Sequence, residues 1–177
     1  MMPKTKKQGI VFGVIMSMTM AYGMEIYNVA IKQGFNLTNG GFSNMTNRVF
    51  LDALIEAAYM WIFVFIFSNL WGNKIGHTLA GRIIRPEKDN PFFITLMISG
   101  CTVLVMCPTM SLVASILFNV MIAGNSIAQL PAIWVGTVFK NFPMALLWNL
   151  FAAGPLTRLL FRQIIEFRKY MLKKAVV

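Results

Sequence analysis

Four charged side chains stand inside or against apolar stretches, where charge is expensive. Glu25 falls within a run that begins near Gln8. Asp52 and Glu56 sit one helical turn apart near the start of a second run, and Lys140 lies inside a fourth. A charge at the centre of a membrane helix costs roughly 2.5–3.5 kcal/mol on insertion scales, so such groups turn inward, pair, or line ion and proton routes. At a rise of 1.5 Å per residue, Glu25 stands roughly 24 Å above Gly9, and Lys140 roughly 15 Å below Leu130. Glu25 and Glu56 with Lys140 therefore form a candidate intramembrane charge cluster, with Asp52 beside it. Such a cluster can relay protons or hold a substrate carboxylate on the lysine. A structural role competes. Acids near helix ends reach the interface along their stems, and a lysine pairs with an acid simply to be insertable. The acids lie in one half of the chain and the base in the other, so complementary charge would also hold the halves in register.

Other polar residues interrupt the runs. Asn28, Asn69, Asn119 and Asn149 are candidate interhelical glue, since amides bond across helices for about 0.6–2 kcal/mol each. Met16, Met20 and Met24 share one helix face, with Met18 between them. That spacing suits copper, although methionine is first a packing residue. Cys101 and Cys107 stand six residues apart in one run, too far for a bridge within a helix. With one histidine, His77, and no CxxC, no metal site and no cofactor are expected. No nucleophile with a base, phosphate loop or metal triad is present, so an enzyme is not expected. Trp71 and Trp148 suit an interfacial belt, whereas Trp61 and Trp134 lie within runs.

The elements that must carry these residues follow from composition. The 177-residue chain is 57% hydrophobic and only 12% charged, against about 25% charged in soluble domains. Such a chain cannot keep its surface wet, and lipid is the natural solvent for it. Four runs, 8–31, 49–71, 92–123 and 130–153, are long enough to span, since a span needs about 20 residues. The first follows Lys4, Lys6 and Lys7 and could pass for a secretory leader, but its apolar character continues to Ile31, so an uncleaved span is expected. The Asn- and Gly-rich segment 32–48 is loop-like. Pro108 is a candidate kink in the long third run, and Pro143 stands inside the fourth. After spans two and four, Ile75, Leu79 and Ile83, then Leu159, Leu160 and Ile164, alternate with bases at helical spacing. Both stretches predict amphipathic helices on the membrane surface.

The net charge of +10 sits at the ends of the runs. Lys74, Arg82, Arg85, Arg158, Arg162, Arg168 and Lys169 are candidate contacts to anionic lipid head groups, and this placement argues against nucleic acid as a partner. The loop between spans one and two holds only Lys32 and Arg48, and that between three and four holds no base. The positive-inside rule then puts both termini in the cytoplasm.

The chain also repeats. Asn69-Leu70-Trp71 aligns with Asn149-Leu150-Phe151 at an offset of 80, and Tyr27-Asn28-Val29-Ala30-Ile31 with Phe118-Asn119-Val120-Met121-Ile122 at an offset of 91. One longer loop in the first half reconciles the two offsets. The expected fold is an all-α integral membrane protein of four transmembrane helices, as two parallel tandem helical hairpins over 1–86 and 87–177. Phe142-Pro143-Met144-Ala145-Leu146-Leu147 and Gly154-Pro155-Leu156-Thr157-Arg158-Leu159 resemble the second helix of short bacterial membrane proteins grouped as domain of unknown function 2798. Met16-Ser17 with Asn28, and Met110-Ser111 with Asn119, are similar to the family's first helix. The first copy departs, with Phe63 where Pro143 stands and Ile75 near Pro155. The resemblance implies a tandem copy in the bacterial cytoplasmic membrane and supplies no activity. Two functions are carried forward. One is a structural or accessory role that binds partner helices or lipids, with a homodimer as a further assembly. The alternative is a small transporter or channel using the charge cluster between the halves.

Overall fold

The computed structural model describes residues 5–33, 46–85, 87–124 and 126–175, with the backbone alone for 169, 170 and 172–175. The expected loop over 32–48 thus lies mostly outside the described residues. Among those described, all regular structure is helical. Helix α1 covers Lys6–Lys32, and the Thr5 hydroxyl caps it by accepting the Gln8 amide at 3.3 Å. Helix α2, Arg48–Phe67, passes through a π-helical segment, Ser68–Gly72, directly into α3, Asn73–Ile83. Helix α4, Pro91–Ala114, starts with proline at a position where its missing N–H costs nothing, behind Asn90, whose side chain accepts the Phe92 amide at 2.8 Å. It continues as a π-helical segment, Ser115–Ile122, and stops at Gly124, whose φ of +69° suits glycine best. A short 3-10 turn, Ile127–Gln129, leads into α5, Leu130–Trp148. A further π-helical segment, Asn149–Ala153, joins α5 to α6, Gly154–Ala175.

Four continuous rods, Lys6–Lys32, Arg48–Ile83, Pro91–Ile122 and Ile127–Arg168, are long and apolar enough to cross a membrane. Their outer faces carry large exposed hydrophobics, among them Ile55 at 66%, Phe139 at 77% and Phe151 at 73%. Water would penalise such a surface and hydrocarbon would not. The basic stretches after the second and fourth runs are helical, and they continue the preceding rods through the π turns without a break.

The packing forms a ring. α1 lies antiparallel to α2, with Val29 and Ala30 on Val49 and Ala53 at one end, Ala21 on Ala57 and Met60 farther along, and Gly13 facing Phe65 near the other end. α4 lies antiparallel to α5: Val103 and Cys107 meet Ala145, and the Trp134 indole donates to the Pro108 carbonyl at 2.9 Å. Each first helix also packs on the second rod of the other half. The Phe12 and Phe161 rings meet edge to face at 5.5 Å, tying α1 to α6. On the other side, Gly72 and Gly76 let α4 pack closely on the α2–α3 rod, at Met106 and Thr102. The sequence of neighbours is therefore α1, α2–α3, α4, α5–α6 and back to α1. α1 and α4 face one another diagonally across the centre.

The two rods α2–α3 and α5–α6 carry their π segments at like places. Ser68 and Asn149 open them 81 positions apart, one from the offset that aligns Asn69 with Asn149. Beyond each, a buried stripe recurs every four residues: Gly72, Gly76 and Ala80 in one, Ala153, Thr157, Phe161 and Ile165 in the other. The first stripe is small and draws α4 close. The second ends in larger side chains that pack on α1.

Candidate functional site

A cavity of 80 Å³ lies at the centre of the ring, and all four rods line it. α1 contributes Met20, Met24, Glu25 and Asn28, and α5 contributes Asn141. Glu25 and Asn28 are three residues apart and so share a helix face. The Asn28 side chain lies close enough to interact with the Glu25 carboxylate. Glu25 is 4% exposed, and it makes no ion pair among the described residues. Asn141 is 5% exposed, and its Oδ1 finds no hydrogen-bond partner among the described residues. A buried acceptor left unmade costs about 1–3 kcal/mol. A carboxylate, a nearby amide and an unpartnered amide oxygen thus border one space between the rods. Chemically, they can accept hydrogen bonds from a cationic donor or coordinate a cation.

The expected cluster spreads out but stays in electrostatic reach, with Glu25 interacting with Glu56, Lys140 and Lys32. Glu56 pairs with Lys32 at 3.7 Å, and Asp52 with Arg48 at 3.5 Å while accepting the Gln33 amide at 2.9 Å. These pairs gather where α1 ends and α2 begins. The Lys140 side chain is exposed and stays off the cavity, while its backbone carbonyl accepts the Tyr27 hydroxyl at 3.2 Å. Successive helical residues point about 100° apart, so Asn141 borders the cavity while Lys140, its neighbour, does not. Sequence inspection passed over Asn141 and Lys32. The signal was present for Asn141, an amide inside run four next to a residue already singled out. Lys32, expected in the loop, is the last residue of α1, which brings it to Glu56.

The other amides separate too. Asn69 is exposed, and its side chain donates to the Phe65 carbonyl of its own helix at 2.7 Å, at the start of the π segment. Asn119 is half-buried within the π segment that follows α4. Asn149 is buried and borders a second cavity, of 150 Å³. Among the basic residues, Lys74, Arg82, Arg85 and Arg168 are exposed. Arg158 edges a groove beside Pro91 and Phe92, and Arg162 pairs with Glu166 at 2.8 Å. The Lys169 side chain lies outside those described. Trp148 is no interfacial anchor: its indole donates into the bundle, to the Thr19 carbonyl, because Gly23 leaves room for the ring. Trp71 donates to the Thr109 hydroxyl at 3.4 Å. Both cysteines are free thiols, and no group of three or more His, Cys, Asp or Glu gathers among the described residues.

Comparison with known proteins bears on what these residues belong to. The chain is 28% identical over 171 residues to a protein named "Uncharacterized protein YybC" from Bacillus subtilis (strain 168), covering 93% of this chain and 96% of that one. No solved structure matches. The profile of a family described as "Domain of unknown function (DUF2798)" matches twice, over residues 5–84 and 87–165. The chain belongs to this family, as two copies in tandem.

Proposed function

We propose that the chain is a small transporter or channel for a monovalent cation or a proton, with Glu25 as the group that holds the charge between the two halves. The observation that carries this is Glu25 itself, buried against a cavity bordered by both repeats, within electrostatic reach of Lys140 and Lys32 but with no salt bridge closer than 4.0 Å among the described residues. A carboxylate at such a place needs a proton or a cation. Interfaces between structural repeats are where many transporters built of repeats keep their sites. An accessory role in binding lipids or partner helices requires neither a buried carboxylate nor an unpartnered buried amide oxygen at a cavity between the repeats. The orientation that fits the basic residues puts both termini on the cytoplasmic side of a bacterial membrane. The bases along α3 and α6, which continue the crossing rods, then reach anionic head groups from the rods' inner ends, and the two hairpins are related by an axis along the membrane normal.

The test is flux into liposomes holding the purified chain, under an imposed proton or potassium gradient, for wild type and Glu25→Gln. Hydrogen bonds to a charged group are worth about 1.5–3 kcal/mol, so the variant is expected to lose roughly tenfold or more of the flux. Equal flux from both proteins, or none above empty liposomes from either, would remove this function.

A further inference from the structure

We infer that the interior cavities form a site for a soft monovalent metal cation, copper(I) or silver(I), held by methionine sulfurs. The inference deepens the proposed function by naming the chemical class of its cargo. Five methionines and a cysteine border the 80 Å³ cavity, Met20, Met24, Met60, Met106, Met110 and Cys107, out of fifteen lining residues. The 150 Å³ cavity adds Met16 and shares Met20 and Met106 with the first, so the two adjoin. It runs toward Phe12 and Asn73, near the end of the bundle where α1 begins. Met16, Met20 and Met24 repeat every four residues along the inner face of α1, a rise of roughly 12 Å. Met18, between them, is 49% exposed on the outer face. On the diagonal helix, Met106 and Met110 repeat the same spacing, and Gly72 makes the room that Met106 occupies.

Packing explains methionines in a core, but two further groups point to a ligand. Glu25 and Asn141 are each more than nine-tenths buried and border the same space, and Asn141 Oδ1 has no partner among the described residues. Thioether sulfur is a soft ligand and selects copper(I), whereas magnesium and calcium demand six or more oxygens.

The experiment measures silver(I) binding by titration calorimetry, and copper(I) by competition with a chromogenic chelator, on the full chain in lipid nanodiscs. Cys101→Ser and Cys107→Ser form the background in every sample, so that thiols do not supply the signal. The triple change Met20→Leu, Met24→Leu and Met106→Leu conserves volume. It is expected to weaken binding at least about 100-fold, with unchanged helicity by circular dichroism. The single changes Met20→Leu and Met24→Leu guard against misfolding of the triple and are each expected to weaken it roughly tenfold. Met18→Leu is expected to leave affinity unchanged. Equal affinity in the background and triple variants overturns the site, as does failure of the background protein to bind either ion. If binding fails while Glu25-dependent proton flux persists, the soft-cation site falls and transport stands. If methionine-dependent binding holds while no cation crosses, the site stands and transport falls.

Discussion

The Trp148 indole donates to the Thr19 carbonyl at 3.0 Å, joining residues 129 positions apart and tying the second rod of one repeat to the first helix of the other. The ring fits because Gly23, one turn along α1, has no side chain. A Cβ built there would overlap the indole. Trp148→Phe keeps most of the bulk and loses the hydrogen bond, at a cost of about 0.6–1.7 kcal/mol. Gly23→Ala forces overpacking, at about 1–3 kcal/mol. Unfolding in detergent micelles followed by circular dichroism should place Gly23→Ala below Trp148→Phe in stability. Adding Trp148→Leu to Gly23→Ala should restore part of the loss, and a double variant no better than Gly23→Ala alone would show that the two sites are not in contact.

Gly76 and Gly81 lie on one helix with opposite expectations. A Cβ at Gly76 would stand 2.5 Å from the Thr102 hydroxyl and 2.8 Å from its Cα, so α3 and α4 would have to separate. A Cβ at Gly81 meets nothing within 4 Å. Gly76→Ala should therefore destabilise by about 1–3 kcal/mol, and Gly81→Ala should be neutral or stabilise by up to about 1 kcal/mol through helix propensity. Thermal midpoints of the two variants, measured side by side, decide it.

Asn141→Leu separates stability from function. It removes a buried acceptor that lacks a partner among the described residues, and fills the space with a side chain of similar size. Stability is expected to hold or rise by about 1–3 kcal/mol. Liposome flux is expected to fall, because the change takes an oxygen from the space that Glu25 shares. A variant that is less stable than wild type and transports equally well would contradict both halves of this expectation.

The charged pairs at the mouth of the first hairpin should matter little. Lys32 has a 70% exposed side chain and meets Glu56 at 3.7 Å, and exposed pairs are worth about 0–1 kcal/mol. Lys32→Met and Glu56→Gln should each shift the unfolding midpoint only slightly. Lys140→Met should change flux less than Glu25→Gln, since Lys140 feels the Glu25 charge but does not line the cavity. A loss of flux from Lys140→Met as large as that from Glu25→Gln would move the transport route toward Lys140.

Composition and periodicity alone determined much of this protein. Long apolar runs bounded by bases make four rods, because a bilayer admits few backbones other than helices that satisfy their own hydrogen bonds. Two offsets in the aligned segments disclosed the tandem repeat, and the family profile matches twice. The polar interruptions at Glu25 and Asn28 were legible too, since polar groups in apolar runs stand out.

Which of those groups meet was decided only by the tertiary structure. Depth along a helix follows from counting residues, but azimuth depends on which neighbours each rod acquires. Lys140 and Asn141 differ by one position in sequence and by about 100° in direction, so one stays off the cavity and the other borders it with Glu25. Glu56 found Lys32 because the first hairpin closes on itself. Trp148 went inward because a glycine on another helix, 125 positions earlier, left space for it. Such pairings arise from cross-helix packing, and no spacing within a single run records them.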